Sequence, residues 1–154
     1  MSASDIRFEP ALSGEVELLL DLARAFHRED GHPLSSAGEA ALRQIVSGEP
    51  LARCWLIRRS GAAIGYLVLT LGYSVEHGGR DGFIDDLYVI PSARGRGVGA
   101  AMLNFALEQA RGLGILTLHL EVETANERAN TLYRSLGFAE NGRRLMSLRL
   151  RPDG

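Results

Sequence analysis

The sequence predicts a single α/β (α+β) domain over residues 1–154, in which a mixed, twisted sheet of about six or seven strands is flanked by about four helices. Two observations support this class. Between residues 51 and 89, short runs of apolar residues separated by glycine turns are typical of an antiparallel meander, whereas two longer runs at helical spacing dominate afterwards. The change of period indicates a parallel crossover in the second half.

The first half begins with a strand, two helices and a meander. Ile6 and Phe8 alternate with charged neighbours as a short strand, and Ser13 is expected to cap a helix that ends near the polar residues 27–33. A second serine-capped helix is expected over residues 36–46, before Gly48 and Pro50. Strands are then expected at residues 51–58, 63–71 and 82–89, with turns at Ser60-Gly61 and Gly78-Gly79.

The second half alternates helices and strands. Helices are expected at residues 97–113 and 126–136, and residues 116–122 alternate as the strand between them. Residues 138–150 offer one or two final strands, interrupted at Asn141-Gly142. A strand, a helix and a parallel strand in this order form the predicted crossover.

Composition excludes several classes of function. The chain has 17 basic and 19 acidic side chains, so no global field attracts nucleic acid or an anionic membrane, and neither is expected as a partner. Its one cysteine, Cys54, excludes an intramolecular disulfide and a cysteine zinc cluster, and its apolar neighbours predict a core thiol. The four histidines lack metal-ligand spacing, so no metal is expected. Without a signal-like N-terminus or an apolar run of ~20 residues, a soluble cytoplasmic protein is expected.

The segment from Arg94 to Ala100 predicts a phosphate site. Its three glycines, Gly95, Gly97 and Gly99, allow backbone N–H groups to approach an anion, and the following helix adds its unpaired N–H groups and the positive end of its dipole. Arginines at 94 and 96 supply planar donors suited to phosphate oxygens. The expected ligand is therefore a cofactor with a pyrophosphate or several phosphates.

Two nucleotide motifs compete for this segment. Gly95, Gly97 and Ala100 satisfy a dinucleotide fingerprint, and Glu121 stands where that motif places an acid for the ribose. However, that fingerprint follows its strand at once, whereas five residues separate Val89 from Gly95 here, and the preceding strands are predicted to be antiparallel. A Walker loop is excluded, because no Gly-Lys-Ser/Thr follows the glycines.

A second spacing, Arg94-x-x-Gly97-x-Gly99 after Asp86 to Val89, resembles the pyrophosphate motif of the GNAT superfamily of N-acetyltransferases. The segment from Asn126 to Phe138, with Ala129, Leu132, Tyr133 and Gly137 at fixed spacing, is similar to the later helix of that superfamily. Residues 84–87 also resemble the polyamine acetyltransferases, which commonly have glutamate where this chain has Asp85.

The resemblance implies a GNAT fold, with splayed parallel strands at the cofactor site and acetyl-CoA as the acyl donor. A backbone N–H of residues 87–89 would then polarise the thioester oxygen. The cofactor-binding residues it implies are Leu87, Tyr88, Val89, Arg94, Gly95, Arg96, Gly97, Val98, Gly99, Ala100, Asn126 and Tyr133. Helix capping is the alternative role for Asn126, and packing is the alternative for Tyr133.

Acetylation of an amine requires removal of a proton, and two neighbouring carboxylates are candidates for the base. In a regular strand Asp85 and Asp86 point to opposite faces, and the polyamine-enzyme alignment favours Asp85, directly or through a water. A bulge would upset this parity, so Asp86 stays a candidate. Alternatively, both carboxylates are structural or bind a cationic substrate. The resemblance implies that Tyr133 is the acid that protonates the departing thiolate.

The function predicted from these residues is acetyl transfer from acetyl-CoA to a primary amine of a small molecule or peptide, by direct attack on the thioester. A non-catalytic acyl-CoA-binding regulatory module is the alternative, and a dinucleotide-dependent oxidoreductase is a third. A homodimer is implied by the resemblance alone. The acidic, histidine-bearing residues 27–32 either attract a cationic amine or form a solvated connector.

Overall fold

A computed structural model describes residues 5–151, which contain five strands and four α-helices. The strands are β1 (Ile6–Pro10), β2 (Ala52–Arg59), β3 (Ala62–Ser74), β4 (Gly79–Val89) and β5 (Thr117–His119). The helices are α1 (Val16–Glu29), α2 (Ser36–Val46), α3 (Val98–Gly112) and α4 (Glu127–Ser135). The chain divides into two compact units, the first ending at Leu120 and the second beginning at Glu121.

The first unit contains one mixed sheet in the order β1-β2-β3-β4-β5. Strands β1 to β4 pair antiparallel, and β5 pairs parallel to β4 after the crossover through α3. The predicted meander, the crossover and the α/β class are therefore confirmed. The predicted six or seven strands are wrong, since the described residues form five.

The strand-count error arises in the last part of the chain. No strand forms at described residues 138–151, where Leu145, Met146, Leu148 and Leu150 are 68–92% exposed. Polar–apolar alternation indicates which face of a strand would be buried, but a strand also needs a neighbour that completes its hydrogen-bond ladder. β5 is likewise shorter than predicted, at three residues.

The first helix also differs from its prediction. Ser13 opens a single 3₁₀ turn, Ser13–Glu15, and α1 begins after Glu15 without a side-chain cap, so the predicted Ser13 cap is wrong. α1 continues through His27 to Glu29, because its apolar side chains pack on the sheet for its whole length. The serine cap of α2 is confirmed: the Ser35 hydroxyl accepts a hydrogen bond from the Gly38 N–H at 3.0 Å.

Each face of the sheet has its own core. Helices α1 and α2 cover one face, where Leu19, Leu20 and Leu56 are fully buried. Trp55 precedes Leu56 in β2, so its side chain points to the opposite face of the sheet. There its ring meets Phe105 of α3 at a centroid distance of 5.4 Å. Burial of each large apolar side chain contributes about 1.5–3 kcal/mol. These two layers hold β3 and β4 rigidly in the middle of the sheet.

A β-bulge interrupts β4 at Asp85. Val68 of β3 pairs with Asp86, but the next residue, Leu69, pairs with Ile84, so the register shifts by one residue at Asp85. The bulge changes the parity of the strand, because Ile84 and Asp86 are two residues apart yet face opposite sides of the sheet. Asp86 thereby turns toward the face covered by α1.

Strands β4 and β5 separate at this end of the sheet. Their last paired residues are Phe83 and His119, while β4 runs on to Val89. Within residues 5–120, the edge of β4 that faces β5 therefore has no paired strand from Ile84 onward. This free edge leads directly to the glycine-rich segment.

The second unit contains α4 and the residues after it. The Asn126 side chain caps α4 by accepting a hydrogen bond from the Ala129 N–H at 3.2 Å, and the rings of Tyr133 and Phe138 lie 6.1 Å apart. None of the helices in the described part of the chain is long and apolar enough to cross a membrane.

Candidate functional site

The last three residues of β4 are held against β3 at a very close approach. Tyr88 pairs with Tyr66, and Val89 pairs with Gly65. A Cβ atom at Gly65 would lie 2.1 Å from the Tyr88 carbonyl oxygen, so only glycine fits at this position. The side chains of Tyr88 and Val89 are buried, which leaves the free backbone edge of residues 87–89 as the part of this segment that a ligand can reach.

The predicted phosphate segment forms an exposed loop that ends at the N-terminus of α3. Residues 94–97 are exposed, and Gly95 and Gly97 have φ values of +85° and +78°, which favour glycine. Gly97 is the N-cap residue of α3, and no side chain caps the helix. The first N–H groups of α3 are therefore available to an anion, and a Cβ at Gly97 would meet nothing within 4 Å.

Arg94 connects this loop to β4 and α1. Its Nε donates to the Val89 carbonyl at 2.9 Å, its Nη2 donates to Glu29 Oε2 at 2.8 Å, and its guanidinium lies 5.7 Å from the centre of the Tyr88 ring. The hydrogen bond from Arg94 lowers the pKa of Glu29 below its ordinary value. Arg96 is exposed on the same loop.

The two neighbouring carboxylates have opposite environments. Asp85 is exposed on the bulge, whereas Asp86 is only 9% exposed. The Asp86 Oδ2 atom accepts a hydrogen bond from the Tyr66 hydroxyl at 2.6 Å and lies 3.0 Å from His27 Nε2. The bulge that could upset the parity argument is present, and it places Asp86, not Asp85, on the face covered by α1.

Two buried groups near Asp86, the Tyr66 hydroxyl and the Cys54 thiol, are neutral near pH 7. Burial and then the Asp86 charge raise the pKa of the Tyr66 hydroxyl far above its ordinary value. The same two causes raise the pKa of the Cys54 thiol to about 12, and Cys54 is buried as predicted. Asp86, Tyr66 and His27 thus form a hydrogen-bonded group, which we call the Asp86 cluster.

A second polar group lies where β4 and β5 separate. His119 Nε2 is 3.1 Å from Asp81 Oδ2, and the His119 ring lies 4.9 Å from Phe83 and 5.2 Å from His77. The alternation of β5 correctly indicates a polar position for His119, but it does not reveal the partner on β4. No three His, Cys, Asp or Glu residues among residues 5–151 are arranged to hold a metal ion.

In the second unit, the structure describes Asn126 and Tyr133 separately from the residues above. The Asn126 side chain is engaged as the cap of α4, which is the alternative considered for it. The Tyr133 side chain is half-buried, and this burial raises the pKa of its hydroxyl above the ordinary value. The phenol therefore keeps its proton at neutral pH.

Sequence reasoning considered His27 only within the segment 27–32 and missed its contact with Asp86, and it missed Tyr66 altogether. A usable signal existed for His27, because it follows Leu20 and Ala23 at helical spacing and so lies on the buried face of α1. Tyr66 carries no such signal, since it lies within a continuous buried run of β3. Its contact with Asp86 depends on the register between two strands.

Known proteins similar to this chain agree with its fold. The model of the acetyltransferase (GNAT) family matches residues 17–138. The thialysine N-epsilon-acetyltransferase of Bos taurus is 31% identical over 128 residues, which cover 82% of this chain and 68% of that protein.

Two solved structures extend this comparison. An integron cassette protein from the mobile metagenome of Cole Harbour Salt Marsh has a TM-score of 0.83 and 35% identity, covering 99% of this chain and 95% of its own. An aminoglycoside N-acetyltransferase in complex with CoA has a TM-score of 0.79 and 19% identity, covering 95% of each chain. At that identity, the second likeness shows the fold alone.

Proposed function

The chain belongs to the acetyltransferase (GNAT) family, and we propose that it transfers an acetyl group from acetyl-CoA to a primary amine of a small molecule or peptide. The observation that supports this most directly is the continuity of three features. The free edge of β4 leads through the Arg94 loop to the uncapped N-terminus of α3. The strand N–H groups at the free edge suit a thioester arm, and the helix N–H groups at the start of α3 suit a pyrophosphate.

The loop fits the pyrophosphate of coenzyme A. Backbone N–H groups from Gly95 to Ala100 would bind its oxygens, and the guanidinium groups of Arg94 and Arg96 would offset its charge. Arg94 would exchange Glu29 for the phosphate. Asn126 and Tyr133 complete the proposed set of cofactor-binding residues, as the family resemblance implies.

When bound, acetyl-CoA supplies an acetyl thioester whose carbonyl carbon is open to attack by an amine. We propose that a backbone N–H among Leu87, Tyr88 and Val89 hydrogen-bonds the thioester oxygen, where negative charge develops during attack. This role suits the free edge of β4, because the backbone groups that do not bond β3 point to that edge and the strand is held by buried side chains.

Two proton transfers accompany the reaction. Asp85 and Asp86 are the proposed carboxylates on the acceptor side: Asp85 is open to solvent and can take a proton directly or through a water, while Asp86 acts through the groups it contacts. Tyr133 is the proposed acid for the departing thiolate, since its phenol is protonated at neutral pH.

A primary amine is the proposed acceptor because the chain resembles a thialysine N-epsilon-acetyltransferase along most of its length. The test is release of free thiol from acetyl-CoA with a panel of a polyamine, a peptide with a free N-terminus, a lysine peptide and an aminoglycoside. We expect turnover with at least one of them.

Tight binding of coenzyme A without turnover of any amine would contradict catalysis and favour the regulatory module. The dinucleotide alternative is not retained, because the family and the antiparallel meander both exclude it. The homodimer rests on the family resemblance, and sedimentation equilibrium would test it.

A further inference from the structure

The Asp86 cluster contains an imidazole that the motif-based assignment does not use. His27 lies near the C-terminal end of α1, 59 residues before Asp86, and its Nε2 is 3.0 Å from the Asp86 carboxylate. Its side chain is 26% exposed, whereas Asp86 and Tyr66 are buried. The imidazole is therefore the member of the cluster that solvent and a substrate can reach.

The hydrogen bonds around Asp86 determine which nitrogen of His27 carries a proton. Asp86 Oδ2 accepts from the Tyr66 hydroxyl, and that donor keeps its proton because burial raises its pKa. A carboxylate oxygen that accepts from Tyr66 also accepts from His27, so Nε2 carries the hydrogen in the neutral ring. The lone pair then lies on Nδ1, which receives no hydrogen bond from the described residues.

Side chains from three strands and from α1 itself surround the His27 ring. Asp86 faces it from β4, Tyr66 from β3 and Cys54 lies in the same core on β2. Since the thiol and the phenol are neutral, the Asp86 carboxylate is the acidic group of this buried set that contacts the ring, at His27 Nε2. On α1 itself, the charged groups one helical turn from His27 are Arg24, which pairs with Glu39 of α2, and Asp30 at the C-cap. Arg28 and Glu29 are exposed, and Glu29 is paired with Arg94.

The position of the cluster along β4 connects it to the proposed reaction. Asp86 directly precedes Leu87, the first of the three free-edge residues proposed to hold the thioester oxygen. Phe26, the neighbour of His27 on α1, packs 5.4 Å from the Tyr88 ring, so this end of α1 is fixed over the same part of β4. An amine that attacks the thioester next to this edge arrives beside His27.

From this geometry we infer that His27 Nδ1 is the atom that takes the proton from the acceptor amine, with Asp86 and Tyr66 as its positioning residues. The inference rests on the proposed function and assigns the base of the same site. Asp85, exposed on the bulge, then attracts the cationic amine and does not take its proton.

The proton and electron balance is simple. The acceptor arrives as an ammonium ion, and His27 Nδ1 takes one proton and later releases it to water. The amine forms a C–N bond to the acetyl carbon while the C–S bond breaks, and sulfur leaves with the electron pair. Sulfur takes a proton from the acid proposed above, and the remaining nitrogen proton restores that acid through solvent. The products are an amide, a thiol and one proton.

The first experiment compares His27→Gln with Arg28→Gln. Glutamine retains an amide donor for Asp86 but has no basic nitrogen, so we expect kcat to fall by roughly 10²-fold or more, with the acidic limb of its pH profile lost. The KM for acetyl-CoA should stay within about threefold. Arg28 is exposed on the same helix, and its variant should behave like the original protein. A His27→Gln enzyme with unchanged kcat and pH profile would overturn the inference.

The second experiment needs neither acceptor nor acetyl-CoA. Two-bond ¹⁵N–¹H NMR correlations of the His27 ring should show the tautomer protonated at Nε2, with a bare Nδ1, in the folded protein above the ring's titration. A ring protonated at Nδ1 would overturn the inference even if His27→Gln fails to fold. An inactive original protein would defeat the proposed function, whereas an active protein insensitive to His27→Gln would defeat this assignment alone.

Discussion

The Arg94 loop and the Asp86 cluster lie at the same end of β4, yet they are built in opposite ways. The loop is exposed, and it would bind through backbone N–H groups and surface guanidinium groups. In the cluster Asp86 and Tyr66 are buried and His27 is only partly exposed, and its side chains are fixed by hydrogen bonds of 2.6 and 3.0 Å. We therefore expect binding of the acyl donor to depend on backbone conformation, and proton transfer to depend on side-chain identity.

The largest effect should come from the cluster. We expect Asp86→Asn to lower kcat by roughly 10²-fold or more, because the amide neither stabilises an imidazolium nor fixes its tautomer. Steady-state kinetics measures this, with circular dichroism to verify the fold. Asp85→Asn is the matched control and should lose less than about tenfold. A larger loss for Asp85→Asn would identify the exposed carboxylate as the base.

The next effect concerns the loop. Arg94→Ala should raise the Kd for coenzyme A by about tenfold, since a charge-assisted hydrogen bond to phosphate contributes about 1.5 kcal/mol at the low end. Calorimetric titration measures it, and kcat at saturating acetyl-CoA should change little. Arg111→Ala, in the last turn of α3, is the control that should leave the Kd unchanged. Equal effects of both variants would show a nonspecific charge contribution.

A backbone variant tests the conformational part of the comparison. Gly97→Ala should lower the free energy of unfolding by about 1 kcal/mol, because an L-residue is strained at a φ of +78° even though the added Cβ has space. Gly112→Ala, at the other end of α3 and also without contacts, should be neutral or stabilising by about 0.5 kcal/mol. Urea denaturation measures both, and a destabilisation shared by the two would point to helix packing and not to φ.

The smallest effect is that of the ion pair between Arg94 of the loop and Glu29 at the end of α1. Arg94 lowers the pKa of Glu29, so the pair stabilises the fold above the ordinary carboxyl pKa, and this contribution is lost as the pH falls through the lowered value. Both side chains are nearly half exposed, so Glu29→Gln should cost only about 0.3 kcal/mol at pH 7 and nothing near pH 2. A cost that persists at pH 2 would be due to packing.

The sequence predicted the loop better than the cluster, for a physical reason. Positive φ values and a helix N-terminus are local properties, so Gly95, Gly97 and the residues that follow reveal them within one short segment. The contacts of Asp86 depend instead on the bulge at Asp85 and on residues 20 and 59 positions away. Local sequence patterns do not predict the register between β3 and β4 or the packing of α1 on them.

The same distinction explains the fold. The meander and α2 follow from alternation, turn glycines and a serine cap, whereas the end of α1 is set by tertiary packing. Residues 138–150 have the alternation of a strand, but pairing must come from elsewhere in the chain or from another chain. The assignments of Tyr133, Asp85 and the cofactor-binding residues stay predictions.

The bulge at Asp85 divides β4 into two halves whose side chains alternate in opposite phase. Deleting that one residue would restore a regular strand, and every side chain from Asp86 to Val89 would exchange one core for the other. The strand would keep its other residues and most of its hydrogen bonds. However, Asp86, the Tyr88 ring and the start of the Arg94 loop would all be displaced together. Within β4, residue count is therefore a stricter requirement than residue type.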